Sequence, residues 1–540
     1  MRSAECRSVR TASDSDWVLL LLSEPGAVAT GFLSLVRTGS VSDWVPTNAE
    51  CGTRNVECTS QNRECCDWVL RPLKRPRPLP LAANVKVHYP LMASTNPARG
   101  MRDFLPADVR KRNYVINIIK QVYESYGFEP LETPAVENLE TLMGKYGEEG
   151  NQLIFKILKR GEKLDIENAR SENDLSDLAL RYDLTVPLAR VIANNRNALP
   201  KFFKRYQIQP VWRADRPARG RFREFYQCDA DAIGSASMLV EAEQILAVSE
   251  ILRRLGFNDF TIRMNHREIL RDILDTAGIG VNDHATVLIA IDKLDKIGTD
   301  GVAKELSARG IDESASKMVL DIFEQTGKIE GRHAEINRTI VSNLLNIVSQ
   351  EVLADIGKIL RYTAGAPVLL DPSLARGLSY YTGTIIEVNV PDLAGSLAGG
   401  GRYDGLIGMF GKEQIPACGV SLGLERILVV MDERGMFPPE IAGSTPADVL
   451  VTLWSDETAA ESLKLASELR ASGLRVTVYP EPDKLGKQIK YADTIKVPFV
   501  CVLGESEIAE NTVTLKNMRT GEQQTLPRSN AVSLMKKLGE

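Results

Sequence analysis

The sequence predicts an α+β body, a mainly helical insertion and a small C-terminal α/β domain. Residues 205–213 and 221–230 have strand patterns and are joined by a loop that carries Pro217 and Gly220. Residues 268–365 are rich in Leu, Ile, Ala, Lys and Glu at helical spacing, which is typical of a helical insertion. Toward the C-terminus, strand and helix patterns alternate, and this alternation favours a small sheet packed by helices.

The other elements of the body follow from the same periodicities. A helix is predicted over 108–126, ending at Gly127. The rest, in chain order, are a helix over 238–255, strands over 259–264, 366–371 and 384–390, and a strand followed by a helix over 416–435. Proline and glycine between 438 and 446 predict a linker. We therefore expect a body in two parts, 92–267 and 366–440, an insertion over 268–365 and a C-terminal domain over 446–540.

The first 91 residues differ in composition from the rest of the chain. They hold five of the eight cysteines and three of the five tryptophans, and SVRTASDSDWV recurs there as LVRTGSVSDWV. Their 11 basic and 9 acidic side chains give a charge of +2, whereas the remaining 55 and 62 give −7. We expect residues 1–91 to lie outside the working fold. They are either upstream sequence read as coding, ahead of a start at Met92, or a targeting or accessory extension.

Charge and missing motifs exclude several classes of protein. The net charge of −5 requires that any nucleic-acid surface be a local patch. The apolar run Trp17–Leu22 is too short to span a bilayer. The sequence contains no GxxxxGK[ST], HExxH or GxSxG motif, and its four histidines have no metal-ligand spacing. Phosphate-loop nucleotide binding, zinc-protease chemistry and serine-hydrolase chemistry are therefore not expected.

The densest chemical signal is VWRADRPARGRFREFYQCDAD at 211–231, which carries five arginines within eleven positions. Strand alternation puts four side chains on one face: Arg221, Arg223, Phe225 and Gln227. A guanidinium can clamp phosphate and a ring can stack on a base, so this pattern favours a nucleotide site. The alternative is a solvated charged hairpin. Asp229 and Asp231 farther along predict a partly buried carboxylate pair.

A second signal is LALRYDLTVPLAR at 178–190, where Arg181 and Asp183 interrupt an apolar segment. Buried charges are costly unless they are paired or face a ligand. A carboxylate beside a hydroxyl, Asp183 with Thr185, is suited to a ligand ammonium. The alternative is a structural ion pair.

Glycine-rich pieces supply a third signal, in LARGLSYYTGTIIEV at 374–388, GGGRYDGL at 399–406 and GVSLGLERI at 419–427. If the first piece is extended, Tyr380 and Tyr381 point to opposite faces. The triple glycine permits either close approach to a ligand or a tight turn.

Taken together and in this order, these pieces resemble the histidyl-tRNA synthetases, a family of class II aminoacyl-tRNA synthetases. GFEPLETPAVE at 127–137 resembles class II motif 1, residues 211–234 resemble motif 2, and GVSLGLERI resembles motif 3. RYDLTVPLAR and ARGLSYYTG resemble the family's histidine-binding motifs. The resemblance covers about residues 95–540, and it implies an antiparallel sheet flanked by helices with a C-terminal anticodon-binding domain.

The resemblance also implies an activity and its residues. A cytoplasmic homodimer, with Pro134 at its interface, would use ATP and Mg²⁺ to activate histidine and then charge tRNA(His). The implied catalytic residues are Arg213 and Arg376. The implied ATP-binding residues are Arg213, Arg223, Phe225, Arg376 and Arg426. The implied histidine-binding residues are Asp183, Thr185, Arg213, Gln227, Asp231, Tyr380, Tyr381 and Tyr403. It does not say which residues would hold the metal.

The remaining expectations concern three lysines near the C-terminus and two positions where this chain departs from the family's pattern. Lys484, Lys487 and Lys490 recur on one side of a predicted helix, as tRNA contacts or as a solvated face. Motif 2 has Asp215 where class II enzymes commonly have Glu, and many bacterial members have Glu at positions 183 and 231. A regulatory protein without transferase activity, or another class II synthetase, is the alternative function.

Overall fold

The computed structural model describes residues 94–375, 380–411, 413–443 and 445–539, and two short strands at 8–10 and 17–19. Side chains at 147–149 and 536–539 are outside that description. The chain divides into two compact units, 1–93 and 94–540. In the first, strands β1 (Ser8–Arg10) and β2 (Trp17–Leu19) pair antiparallel. Our expectation for residues 1–91 otherwise lies outside the described residues.

The second unit contains sixteen strands among its described residues. They are β3 (Glu129–Pro130), β4 (Val136–Asn138), β5 (Lys156–Leu158), β6 (Ser176–Leu180), β7 (Phe203–Trp212), β8 (Glu224–Ile233), β9 (Thr261–His266), β10 (Val368–Leu370), β11 (Thr384–Asn389), β12 (Ala398–Arg402), β13 (Ala417–Gly423), β14 (Val449–Val451), β15 (Val476–Val478), β16 (Phe499–Val502), β17 (Thr512–Asn517) and β18 (Gln523–Pro527). The predicted strand pair around the arginine-rich loop is thus β7 and β8.

The described helices begin with α1 before the first strand of the main sheet. They are α1 (Pro106–Ser125), α2 (Leu139–Leu142), α3 (Gly147–Gln152), α4 (Thr185–Asn194), α5 (Leu239–Arg254), α6 (Arg267–Thr276), α7 (Val281–Ile291), α8 (Leu294–Ala308), α9 (Glu313–Gly327), α10 (His333–Leu344), α11 (Gln350–Tyr362), α12 (Leu424–Glu433), α13 (Pro439–Ala442), α14 (Ala459–Ala471), α15 (Leu485–Thr494), α16 (Glu505–Ala509) and α17 (Arg528–Gly539). Among them, none has the length and apolar character needed to cross a membrane.

The main sheet has eight strands in the order β10-β9-β11-β12-β13-β8-β7-β3. Its neighbours pair antiparallel except for β10 with β9 and β3 with β7. The predicted helix–sheet body is therefore confirmed, and the sheet is antiparallel as the resemblance implied. The predicted helix at 108–126 is α1, and Gly127 follows it with a φ of 78°, a left-handed conformation that favours glycine.

One face of this sheet is apolar. Cys228 and Ala230 of β8 and Val420 of β13 lie in a core shared with α1, α5 and α12. Since strand side chains alternate between faces, the residues between them point to the other side. Helices α6 to α11 extend from Arg267 to Tyr362, where the sequence predicts a helical insertion, and their buried apolar residues belong to the same core.

The C-terminal sheet has five strands in the order β15-β14-β16-β17-β18. The first three are parallel, and β17 and β18 are antiparallel to their neighbours. Buried residues of the strands and of α14, such as Val449, Val451 and Leu465, form its own core. The alternation of strand and helix thus produces the predicted α/β fold.

Candidate active site

The second face of the main sheet is polar where β7, β8 and β13 lie side by side. Its register pairs three residues of β7 with three of β8: Arg205 with Asp231, Gln207 with Asp229, and Gln209 with Gln227. The same register pairs β8 with β13: Asp231 with Gly419, Asp229 with Ser421, and Gln227 with Gly423. Paired residues project to the same face, so these side chains form one continuous polar surface.

Asp183 lies two residues before α4 and is buried, with 1% of its surface exposed. Its Oδ1 accepts hydrogen bonds from the Tyr146 hydroxyl at 2.9 Å and the Val186 backbone N–H at 3.1 Å. Its Oδ2 accepts a hydrogen bond from the Tyr380 hydroxyl at 3.2 Å. Burial raises the pKa of this carboxyl, and the three donors and Arg213 oppose that rise. A carboxylate held in this way is suited to a cationic ligand group.

Arg181 does not pair with Asp183, so the alternative of an ion pair between them is wrong. Its guanidinium donates to the carbonyl oxygens of Pro210 at 2.8 Å and Thr133 at 2.6 Å, and to Oε1 of Gln209 at 2.9 Å. Arg181 and Asp183 both follow β6 in a loop, and they contact different partners. Arg181 braces the backbone near Thr133 and Pro210, whereas Asp183 contacts the tyrosines of the candidate site.

Asp231 is held at the other end of the polar face. Its Oδ2 lies 2.9 Å from Nη2 of Arg205, which is fully buried, and its Oδ1 accepts a hydrogen bond from the Tyr403 hydroxyl. Burial raises the pKa of Asp231, and the Arg205 charge lowers it. Gly419 makes room for this carboxylate, because a Cβ at Gly419 would lie 1.9 Å from Asp231 Oδ1.

Tyr380 and Tyr381 lie close together instead of on opposite faces. Their ring centroids are 5.0 Å apart, and the Tyr380 ring meets the Tyr403 ring edge-on at 6.0 Å. The prediction assumed an extended segment, but both residues precede β11 and lie outside any strand. The three tyrosines therefore form an aromatic wall between Asp183 and Asp231.

Gln227 and Asp229 complete the polar face of β8. The Gln227 side-chain amide donates to the Ser421 hydroxyl at 2.8 Å, and Ser421 also interacts with Asp229. Both residues are buried, with 8% and 2% of their surfaces exposed. The predicted carboxylate pair, Asp229 and Asp231, is thus confirmed and is more deeply buried than expected.

Arg213 leaves the end of β7 and is fixed by its neighbours. Its Nε donates to the Tyr182 carbonyl at 3.0 Å, and its guanidinium lies over the rings of Tyr182 at 4.3 Å and Phe225 at 5.3 Å. Its charge acts on Asp183. A half-buried guanidinium between a carboxylate and an aromatic ring is suited to an anionic ligand.

The arginines of the loop that joins β7 and β8 have two kinds of partner: a residue of the same loop, or a surface residue of α12. Arg223 donates to the Asp215 carbonyl at 3.0 Å, and Arg221 forms an ion pair with Asp215 at 3.3 Å. Asp215 therefore organises this loop, although it is shorter than the glutamate common in class II enzymes. Arg219 pairs instead with the exposed Glu433, as a solvated charge would.

At the start of α12, Arg426 and Glu425 are fixed differently. Arg426 donates from Nη1 to the Ser396 carbonyl at 2.6 Å. Glu425 accepts from the Tyr226 backbone N–H at 3.0 Å, and burial raises its pKa to about 7. Arg426 is half-buried and lies along Gly220 of the arginine-rich loop, where a Cβ would be 3.1 Å from its Cγ.

The triple glycine is neither a tight turn nor an open loop. Gly399, Gly400 and Gly401 lie in β12, and a Cβ at Gly400 would be 2.2 Å from the Gly419 carbonyl. At Gly401 it would be 3.0 Å from the Tyr381 ring. The triple glycine thus lets the backbone of β12 approach a neighbouring strand and an aromatic side chain of the site closely.

The remaining predicted residues are Arg376, three lysines and Thr185. Arg376 falls outside the described residues. Lys484 precedes α15, and Lys487 and Lys490 lie within it; all three are exposed, and Lys487 pairs with Asp483 at 3.0 Å. Thr185 begins α4 beside Asp183 and interacts with the Tyr380 hydroxyl.

The structure adds four residues that the sequence reasoning missed. They are Tyr146, Tyr182, Arg205 and Ser421, which contact Asp183, Arg213, Asp231 and Gln227 respectively. Only Arg205 and Ser421 could have been found from the sequence. Each is a polar residue on a predicted strand, and strand alternation would have assigned each a face of the sheet. Among the described residues, no group of three or more His, Cys, Asp and Glu side chains could hold a metal ion.

Comparison with known proteins agrees with this geometry. Residues 100–427 match the family model for histidyl-tRNA synthetase, and residues 448–538 match that for an anticodon-binding domain. The histidine–tRNA ligases of Porphyromonas gingivalis and Cytophaga hutchinsonii are 45% and 42% identical over 79% of this chain and 96% of each relative. The crystal structure of histidyl-tRNA synthetase from a Nostoc species has a TM-score of 0.67 at 31% identity, covering 83% of this chain and all of that one.

An antiparallel sheet with one helix-covered face and one face of arginines and carboxylates defines a class II aminoacyl-tRNA synthetase. Within that class, the chain belongs to the histidyl-tRNA synthetase family. It is a ligase that joins histidine to tRNA at the expense of ATP. The alternatives of a regulatory protein or a synthetase for another amino acid are not favoured.

Proposed function

We propose that histidine binds across the polar face of the main sheet, between Asp183 and Asp231. The observation that carries this proposal is the span of the cluster, with a partnered carboxylate at one end, a carboxylate and amide at the other, and Arg213 beside the first. Asp183 and Thr185 take the ammonium group, and Arg213 takes the carboxylate. The ring lies among five side chains: Gln227, Asp231, Tyr380, Tyr381 and Tyr403.

ATP binds next to Arg213. Phe225 stacks on the adenine, since it lies beside Arg213 on the exposed end of β8. Arg223 and Arg426 hold phosphate oxygens, and Arg376 supplies a further cation at the α-phosphate. Arg213, between the two substrates, contacts both the α-phosphate and the histidine carboxylate.

Histidine activation is then an in-line displacement. A carboxylate oxygen of histidine attacks the α-phosphorus, the bond to the bridging oxygen breaks, and pyrophosphate leaves. Negative charge grows on the equatorial oxygens, and prepositioned guanidiniums stabilise it without reorganising. The 2′ or 3′ hydroxyl of the terminal tRNA nucleotide next attacks the adenylate carbonyl, forming the ester and releasing AMP.

Mg²⁺ belongs to this proposal as the partner of the ATP phosphates, since Mg²⁺ in such sites is held largely by phosphate oxygens. The described residues offer no cluster of metal ligands. We therefore assign no step to a metal held by the protein, and the guanidiniums carry the charge stabilisation described above.

The C-terminal domain, residues 446–540, is proposed to bind the anticodon region of tRNA(His). Trp454 follows β14 and has 51% of its surface exposed. Tyr479 follows β15 and meets the ring of Tyr491 in α15 at 5.5 Å. Ligands of parallel sheets bind where the strands end, and exposed rings stack on unpaired bases. Lys484, Lys487 and Lys490 are next to these rings in sequence and supply phosphate contacts.

The remaining proposals concern organisation. We propose a cytoplasmic homodimer with the exposed Pro134 near its interface, which the resemblance to motif 1 supports. We also propose that 92–267 and 366–440 form the catalytic domain and 268–365 an inserted domain. Residues 1–91 are proposed to be dispensable for activity.

Histidine-dependent exchange of pyrophosphate into ATP tests the site assignment. Arg213→Gln is expected to lower the rate constant of exchange by about 10²- to 10³-fold, as for removal of a preorganised oxyanion partner. Arg219→Gln in the same loop is the matched control, because Arg219 pairs with Glu433 at the surface. Equal activity of both variants would show that Arg213 has no role in the mechanism. If the wild type showed no histidine-dependent exchange, the assignment of the site itself would be wrong.

A further inference from the structure

Three buried acceptor atoms on β8 have no hydrogen-bond donor among the described residues: Oε1 of Gln227, Oδ1 of Asp229 and Oδ2 of Asp231. The third forms an ion pair with Arg205 at 2.9 Å, which leaves the atoms of Gln227 and Asp229 without any partner in this part of the chain. The two residues alternate on the polar face, so they are neighbours about 6.7 Å apart along the strand. An unsatisfied buried acceptor is costly, and two together indicate a ligand that brings N–H donors.

The charges near Asp229 point to the kind of donor. Within the described part of the chain, the charged groups that act on its carboxyl are one cation, Arg205, and two other carboxylates, Asp231 and Asp183; the neutral Ser421 hydroxyl also donates a hydrogen bond to it. Arg205 is already paired with Asp231 at 2.9 Å. One guanidinium thus faces two carboxylates on β8, and the site has room for one more positive charge.

Titration behaviour agrees with this imbalance. Burial raises the pKa of the Asp229 carboxyl to about 7; Arg205 opposes the rise and Asp231 adds to it. The titratable and charged groups that face Asp229 from the surrounding elements are Arg205, Asp231, Asp183, Tyr381, Tyr123 and Cys228. Near neutral pH, the free site therefore holds a proton that the substrate ring can share.

We propose that Asp229 is a specificity-determining residue that holds the histidine side chain as the doubly protonated, positively charged imidazolium. A neutral imidazole has one N–H, whereas the imidazolium has two and carries the missing charge. Asp229 and Gln227 accept hydrogen bonds from N–H groups on one side of the ring, and Asp231 and Tyr403 lie on the other side. This inference rests on the proposed position of the histidine ring.

The proposal predicts a pH dependence that Asp229 controls. In the complex, Asp229 and the ring share one proton. At a pH where the free carboxyl and the free ring are both deprotonated, binding must therefore take up a proton from solution. The KM for histidine in the wild type is expected to rise above about pH 7, by up to tenfold per pH unit. In Asp229→Asn that rise is absent, since the amide cannot titrate.

The experiment measures the KM for histidine by pyrophosphate exchange between pH 6.5 and 8.5. Asp229→Asn is expected to raise the KM by about tenfold or more at pH 6.5, as for loss of a charge-assisted hydrogen bond, and much less at pH 8.5. Asp177→Asn, an exposed residue on β6, is the matched control and should follow the wild type. Thermal melting of each variant shows whether it is folded.

A ring analogue supplies the second readout. In 3-(1,2,4-triazol-3-yl)alanine the ring is far less basic than imidazole and stays neutral in this pH range. The wild type is expected to favour histidine over this analogue by about thirtyfold at pH 6.5, and Asp229→Asn by no more than about threefold, since the discriminating charge is gone. Asp229→Asn with wild-type KM at pH 6.5, or with unchanged discrimination, overturns the proposal. Loss of all histidine-dependent exchange in the wild type would instead overturn the site assignment.

Discussion

The two ends of the proposed histidine pocket hold their carboxylates in opposite ways. Asp183 receives three hydrogen bonds from the protein, from Tyr146, Tyr380 and the Val186 N–H. At the other end, Arg205 pairs with Asp231 and Ser421 donates to Asp229, but Oδ1 of Asp229 receives no hydrogen bond from the described residues. The carboxylate at the first end is thus fully partnered before the substrate arrives, whereas the second end keeps an acceptor that the substrate can satisfy.

This difference separates binding from selection. An ammonium group is common to all amino acids, so a prearranged carboxylate for it adds affinity without choosing a substrate. The ring is the part that differs, and a site with unmade hydrogen bonds there rejects side chains that cannot supply them. We therefore expect residues of β8 and β13 to determine the choice of histidine.

The largest effect is expected at the Asp183 end. Asp183→Asn removes the charge that faces the ammonium group while keeping a side chain of the same shape. Loss of a charge-assisted hydrogen bond of about 1.5–3 kcal/mol should lower kcat/KM for histidine about a hundredfold in pyrophosphate exchange. Asp183→Glu keeps the charge and should retain more activity. If both variants lost the same activity, shape rather than charge would govern this end.

A steric change at the other end should have a smaller effect. Gly419→Ala puts a Cβ 1.9 Å from Oδ1 of Asp231 and must displace that carboxylate. We expect the KM for histidine to rise about thirtyfold, which corresponds to roughly 2 kcal/mol of overpacking, while the KM for ATP changes little. Gly423→Ala on the same strand is the control, because its nearest neighbour would be 3.5 Å away. Equal increases in both variants would contradict the role of Gly419.

The parts of this site that could be predicted from the sequence are those governed by local periodicity. Strands β7 and β8 follow from alternation, which predicted Arg221, Arg223, Phe225 and Gln227 on one face. Phe225 and Gln227 lie on β8, but the strand begins at Glu224, so Arg221 and Arg223 precede it in the loop. Burial of the carboxylate pair followed from the apolar residues that surround it. These features depend only on residues near one another in the chain.

Contacts between distant segments could not be predicted in this way. Tyr146 reaches Asp183 across 37 positions, and nothing in its own segment marks it. Tyr380 and Tyr381 were expected on opposite faces if their segment was extended, and no local pattern shows that the segment before β11 is not a strand. The partners of Arg181, the carbonyls of Thr133 and of Pro210 on β7, come near it only in the folded protein.

The smallest effect is expected from Tyr146→Phe, which removes one of the three donors of Asp183 and leaves the other two. Asp183 keeps its charge and two other donors in this variant, so we expect only about 1 kcal/mol of the lost hydrogen bond to reach substrate binding, and the KM for histidine should rise about fivefold. In the Asp183→Asn background the same change should have almost no effect, because Tyr146 acts only through that carboxylate. An additive loss in the double variant would mean that Tyr146 contacts the substrate directly. Because the Tyr146 hydroxyl contacts Asp183 Oδ1 at 2.9 Å, the fivefold effect measures how much histidine binding gains from a carboxylate that is fully hydrogen-bonded in advance.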